Sequence, residues 1–358
     1  MKCRFLWQGA VAAALLAAMA GCSNSNSTGG NGQSASTGSS SSASQPTFML
    51  ITNGTSPFWV SLDKGSTEVG QTLGVNALRQ SPNPSNNVQQ IRIFKDALAK
   101  GVKGIGISVI DPVAMTSTIN QAVASHVPVI CFDSDAPTSN RLAYLGTNNF
   151  NAGFLAGQAA RKLFPNGGKL MAFVGTMSQQ NAIDRYNGFL KALQGSNITF
   201  LAPPMIDQQD KNAAQANIQN AITKYANKGL NGLVGLYSYD GPAIINVVTQ
   251  ENLRSKMKII CFDGDPETLK GLADGMVDLT VVQTPYEEGR LSIMLLNYLN
   301  KDGGNIDQAL KQLKPELDKL NMPLNMKNHT IDTGVTVVTP ANAPAFLQKL
   351  KEKGIAST

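Results

Sequence analysis

Side chains suited to recognition recur where short apolar runs end. Phe58 and Trp59 come after the run 48–51, Asp133 after 129–132, Tyr239 and Asp240 after 232–236, Asp263 after 258–262, and Gln283 after 277–282. Arg185 lies in the helical stretch that follows the run 169–174. Aromatic rings bind the apolar C–H faces of sugars, and carboxylate, guanidinium and amide groups make paired hydrogen bonds to neighbouring hydroxyls. A site of this kind discriminates strongly, because an analogue lacking a hydroxyl leaves a buried polar group unpaired. Each residue also has a plainer reading. Phe58 and Trp59 could be packing at a helix start, Asp133 and Asp263 could be helix caps, and Arg185 could be a solvated charge. Their shared placement favours recognition.

Catalytic alternatives are thinly supported. Asp133 and Asp263 could act as the paired carboxylates of a hydrolase, but they fall in different halves of the chain. There is no GxSxG, HExxH, phosphate-loop or dinucleotide fingerprint, and Gly104-Ile-Gly106 lies inside a strand. The two histidines, His126 and His329, read as surface or edge residues, and no Cys/His spacing suits a metal. No catalytic residue, metal or cofactor is expected.

The elements that carry these side chains form a repeat. The segment 127–137, VPVICFDSDAP, shares the string Ile-Cys-Phe-Asp-x-Asp with 258–266, KIICFDGDP. The stretches before them, 104–114 and 232–243, also correspond. The copies lie about 130 residues apart, a domain-sized period. Within each half, strand-like runs alternate with helical patterns, which predicts parallel sheets covered on both faces. Strands are expected at 48–51, 74–78, 104–109, 127–132 and 141–145, and again at 169–174, 198–201, 232–236, 258–262 and 277–282. A long helix over 286–299, a polar helical insertion over 301–320, an extended stretch over 329–338 and a C-terminal helix follow. Ligands of open α/β sheets sit at the carboxyl ends of the strands, so two such ends facing each other make a cleft.

The 358 residues allow two domains, and the formal charge of +6 is scattered, with no basic run to suggest nucleic acid. Lys2, Arg4 and the short apolar stretch 6–20 form an export signal over 1–21, too short to span a membrane. It ends Met19-Ala20-Gly21-Cys22, which resembles the lipobox of bacterial lipoproteins with Met where Leu is usual. Lipidation at Cys22 would anchor the chain to a bacterial membrane, in the periplasm or at the cell surface. Residues 22–46, rich in Ser and Gly, read as a flexible tether. Cys131 and Cys261 are expected to be free and buried.

Residues 47–345 resemble the sugar-binding proteins of ABC importers, in the ribose-binding and LacI-like periplasmic binding protein family. The likeness is carried by Ser56-Pro-Phe-Trp-Val-Ser-Leu62, Val127-Pro-Val-Ile-Cys-Phe-Asp133, Arg185-Tyr-Asn-Gly-Phe189, Phe262-Asp-Gly264 and Val282-Gln283. It implies an α/β fold of two Rossmann-like lobes with parallel sheets and a three-crossing hinge, the type I architecture. The first lobe is expected over 47–147 and 285–333, and the second over 148–284 and 334–358. The crossings are expected near 146–148, 283–285 and 331–335. The resemblance implies stacking by Phe58 and Trp59 and hydroxyl recognition by Asp133, Arg185, Asp263 and Gln283. The chain departs from the family pattern at Ser56, where Asn is usual, at Ser134, where Arg is usual, and at Tyr239-Asp240, where Asn-Asp is common. These changes put ribose in doubt and leave a monosaccharide or polyol. The implied protein is a monomer that delivers its sugar to an ABC permease. The alternative is a ligand-sensing partner of a membrane receptor or kinase. A DNA-binding repressor is disfavoured, because an export signal stands in place of a DNA-binding headpiece.

Overall fold

The structure, a computed structural model, describes residues 45–355; the export signal, Cys22 and all but the last two residues of the tether lie outside them. The first half runs β1 (Thr47–Ile51), α1 (Phe58–Leu73), β2 (Asn76–Gln80), α2 (Asn87–Ala99), β3 (Gly104–Ile107), α3 (Pro112–Ala124), β4 (Val129–Phe132) and β5 (Ala143–Gly146). Local chemistry sets several boundaries. The Asn86 and Asp111 side chains cap α2 and α3, with Pro112 opening the latter. Gly74, at φ 66°, ends α1 in the left-handed conformation that only glycine adopts without strain.

The pattern then restarts with α4 (Asn149–Leu163), β6 (Gly168–Val174), α5 (Gln180–Leu193), β7 (Ile198–Phe200), β8 (Met205–Ile206), α6 (Lys211–Tyr225), β9 (Gly232–Gly235), α7 (Asp240–Gln250), β10 (Lys258–Phe262), α8 (Pro266–Ala273) and β11 (Leu279–Val282). The chain closes with α9 (Pro285–Lys301), α10 (Ile306–Lys319), β12 (Leu324–Asn325), β13 (Thr330–Asp332), β14 (Thr336–Val338) and α11 (Ala343–Glu352).

Two sheets result. One has the order β12-β13-β5-β4-β3-β1-β2 and the other β14-β11-β10-β9-β6-β7, with β8 also on β6. Their strands pair in parallel except β12 with β13 and β14 with β11. Side-chain alternation on β1 divides the first core. Phe48 and Leu50 face a cluster with α1, α9 and α10, while Met49 and Ile51 face one with α2 and α3. The second sheet has its own continuous core, which includes Val338, Ala343 and Leu350 from the C-terminal segment. The chain passes between the sheets three times: from β5 into α4, from β11 into α9, and from β13 to β14. We call the two bodies the first and second lobe.

Several expectations change; the strands expected at 104–109, 127–132, 141–145 and 277–282 are each about two residues shorter at one end. β2 begins at Asn76 rather than 74, because the chain first turns through Gly74 and Val75. The stretch 329–338 is two strands, divided at Gly334 (φ 72°), one in each sheet. The insertion after residue 301 is amphipathic: Ala309, Leu310, Leu313 and Leu317 are buried in the first-lobe core beside α9. Cys131 and Cys261 are buried and free. Among the described residues no helix is long and apolar enough to cross a membrane.

A candidate ligand-binding cleft between the lobes

Asp133 and Asp263 hold matching places, one at the end of β4 and one at the end of β10. Both have left-handed backbone, φ 54° and 68°, unusual for a residue other than glycine and a form of strain that gathers at ligand sites. This geometry removes the helix-cap reading, since the next helices are capped by other residues, α4 by Asn148 and α8 by Asp265. The Asp133 backbone carbonyl accepts from the Tyr144 hydroxyl at 2.9 Å, and that of Asp263 accepts from the Thr280 hydroxyl at 2.7 Å.

Their side chains point into a small cavity between the lobes, about 40 Å³, well below the volume of an open ligand site. From the first lobe it is lined by Asn53, Ser56, Phe58, Trp59 and Asp133, and from the second by Asn181, Arg185, Gln209, Tyr237, Ser238, Tyr239 and Asp263, with Gln283 at a crossing. Phe58 and Trp59 open α1 and meet edge to face, 4.8 Å between ring centres, with Phe132 behind Trp59. The Asp133 carboxylate accepts from Ser108 Oγ at 2.6 Å and lies 3.4 Å from the amides of Asn53 and, across the cleft, Asn181.

Arg185 is the cation of the lining. It is 2% exposed, donates from Nε to Asn149 Oδ1 and from Nη1 to the Leu236 carbonyl, both at 2.8 Å, and lies over the Phe262 ring. Its Nη1 is 4.0 Å from Asp263, whose other oxygen accepts from Gln283 Nε2 at 2.8 Å. Burial pushes the Asp263 carboxyl up to about 6, with Arg185 and Gln283 opposing the rise. Burial also raises Asp133, against Arg185, Ser108 and Asn181. Tyr239 lines the cavity with its ring and donates its hydroxyl to Asp207 at 2.6 Å.

Two expected ligand residues do not reach the cavity. The reversal at Asp133 turns Ser134 into the lobe, where it is fully buried and its carbonyl pairs with the Val109 amide. Asp240 is tucked under the end of β9, its carboxylate accepting from the Tyr237 amide at 2.8 Å. Asn53, Asn181, Gln209, Tyr237 and Ser238 line the cavity as well, beyond the residues expected there. Asn53, Tyr237 and Ser238 obey the same strand-end rule as the others. Asn181 stands one helical turn before Arg185, the spacing that puts two side chains on one face.

Several lining atoms have no hydrogen-bond partner within the protein: Asn181 Oδ1, Arg185 Nη2, Gln209 Nε2, Ser238 Oγ and Gln283 Oε1. They include both donors and acceptors. A hydroxyl group is both, so a polyhydroxylated molecule is the chemistry that satisfies them together.

The family profile described as periplasmic binding protein domain matches residues 47–304. The chain is similar to the xylose/arabinose-binding protein XylF of Sulfolobus acidocaldarius, 24% identical over 84% of this chain and 72% of that protein. It is similar to the ribose import binding protein RbsB of Escherichia coli, 23% identical over 78% of this chain and 88% of that one. Among solved structures, it resembles an ABC transporter solute-binding protein of Burkholderia graminis in complex with D-arabinose. The TM-score there is 0.73 and the identity 27%, over 83% of this chain and 96% of the other.

Proposed function

The chain belongs to the periplasmic binding protein domain family, and from that premise we propose that it captures a monosaccharide or related polyol outside the cytoplasm and delivers it to an ABC importer. The observation that carries the reading is the cavity itself. Four aromatic side chains, two carboxylates, one guanidinium and several amides converge there from both lobes, with donors and acceptors left for hydroxyls. The ligand residues in this reading are Phe58, Trp59, Asp133, Arg185, Asp263 and Gln283, with Ser56, Asn53, Asn181 and Tyr239 around them. The two-lobe division and the three crossings make it a clamp: a sugar touching both lobes stabilises the closed form, which then meets the permease.

Export by residues 1–21, lipidation at Cys22 and a tether to residue 46 complete the proposal and hold a monomer at the membrane. The binding cleft requires no turnover, metal or cofactor. The direct test follows Trp59 emission in a Trp7→Phe chain during titration with pentoses, hexoses and polyols. A saturable change with one or a few sugars is the expected result. Silence across the panel, in both emission and thermal stability, would sink the proposal.

A further inference from the structure

Arg185 is the buried cation of the cleft, yet it is held by a residue outside the cleft lining. A guanidinium offers five N–H donors in a rigid fork, so anchoring part of the fork aims the rest. Here Nε is taken by Asn149 Oδ1 and Nη1 by the Leu236 carbonyl, and Nη2 has no partner within the protein. Asn149 is the first residue of α4, directly after the crossing from β5. Its Nδ2 donates to the Thr147 carbonyl of that crossing at 3.1 Å and lies 3.4 Å from the Asp133 carbonyl in the first lobe. A single amide therefore touches the arginine that faces the cleft, the crossing strand and the opposite lobe.

This reach depends on a close helix crossing. A Cβ on Gly153 of α4 would lie 1.9 Å from the Arg185 carbonyl oxygen of α5, and one on Gly188 of α5 would lie 2.0 Å from the Phe150 carbonyl oxygen of α4. The first lobe repeats the glycine pair. Gly289 of α9 meets the Leu62 carbonyl and Gly65 of α1 meets the Tyr286 carbonyl, at 2.2 and 2.0 Å by the same measure. The amide is not repeated, because the place corresponding to Asn149 is Pro285. In both lobes the helix with cleft side chains is locked to the helix that leaves a crossing. In the first lobe the two helices are joined elsewhere, by the Tyr286 hydroxyl of α9 donating to Glu68 of α1 at 2.7 Å; only in the second lobe does the first residue of the departing helix hold a cleft side chain.

We propose that Asn149 is a positioning residue that presets the Arg185 guanidinium for the ligand and ties it to the first crossing. The proposal rests on the sugar-binding reading for its effect on affinity, but not for its effect on Arg185 itself.

The experiment has two readouts on the full chain. In the ligand-free protein, the 15N–1H signal of Arg185 Nε is assigned by its loss in Arg185→Lys. It exchanges slowly with water in the wild type and in Asn149→Asp, which keeps the acceptor, and at least about tenfold faster in Asn149→Ala. In sugar titrations, Asn149→Ala raises Kd about tenfold, as expected for a lost hydrogen bond to a charged group. The penalty vanishes in the Arg185→Lys background, which lacks the Nε donor. Unchanged Nε exchange in Asn149→Ala would overturn the proposal, as would a penalty that persists undiminished beside Arg185→Lys. A wild type that binds no sugar would defeat the sugar-binding reading alone, and Nε exchange would still decide whether Asn149 holds Arg185.

Discussion

Arg185 stands with Asp133 and Asp263 in a lining that is otherwise uncharged. Truncating a buried, hydrogen-bonded charge costs about 2–5 kcal/mol, so Arg185→Ala should weaken sugar binding by ~30-fold or more by calorimetry. Asp263 makes a second prediction, in pH. Its carboxyl sits at about 6 in the fold against an ordinary 3.8, so the folded protein holds that proton more firmly than the unfolded chain. The stability tied to this group is present below the ordinary value and lost as pH rises through 6. Denaturant unfolding of the ligand-free protein at pH 4.5, 6 and 7.5 should show this loss, on the order of 2 kcal/mol over that range, and Asp263→Asn should lack this group's share. The aromatic pair, both aspartates, the arginine and Gln283 were readable because polar and aromatic residues at strand ends break an apolar pattern. Ser134 and Asp240 were misplaced because sequence does not show the backbone reversal at Asp133 or the turn over 237–240. Asn181 was passed over because an amide in a helix looks like ordinary surface.

At the scale of elements, α10 shows how a polar stretch can hide a core helix. Four of its residues, Ala309, Leu310, Leu313 and Leu317, are buried, while Lys311 and Lys314 face out and Glu316 pairs with Arg290 of α9 at 2.9 Å. Leu313→Ala should cost about 2–5 kcal/mol of unfolding free energy, as for large-to-small changes in well-packed cores. Denaturation midpoints would check it, and a change below 0.5 kcal/mol would mean α10 is peripheral. The alternation of strands and helices was legible because buried parallel strands read as apolar runs between amphipathic helices. Boundaries at β2 and at 329–338 were not, because glycine at positive φ decides them, and a glycine's φ cannot be read from its neighbours.

For the whole molecule, the claim is that two similar lobes close around a sugar. The repeat of Ile-Cys-Phe-Asp-x-Asp exposed the two halves, and the structure places its two aspartates across one cavity. Small-angle scattering should show the radius of gyration of the free protein shrink when the ligand is added, because binding to both lobes favours closure. Calorimetric titration of the wild type and Arg185→Ala with the same panel of pentoses, hexoses and polyols tests sugar capture most directly. The wild type should bind one or a few sugars 1:1, and the variant should bind them far more weakly or not at all. Tight binding that Arg185→Ala leaves untouched, or no binding to any member of the panel, would contradict this expectation.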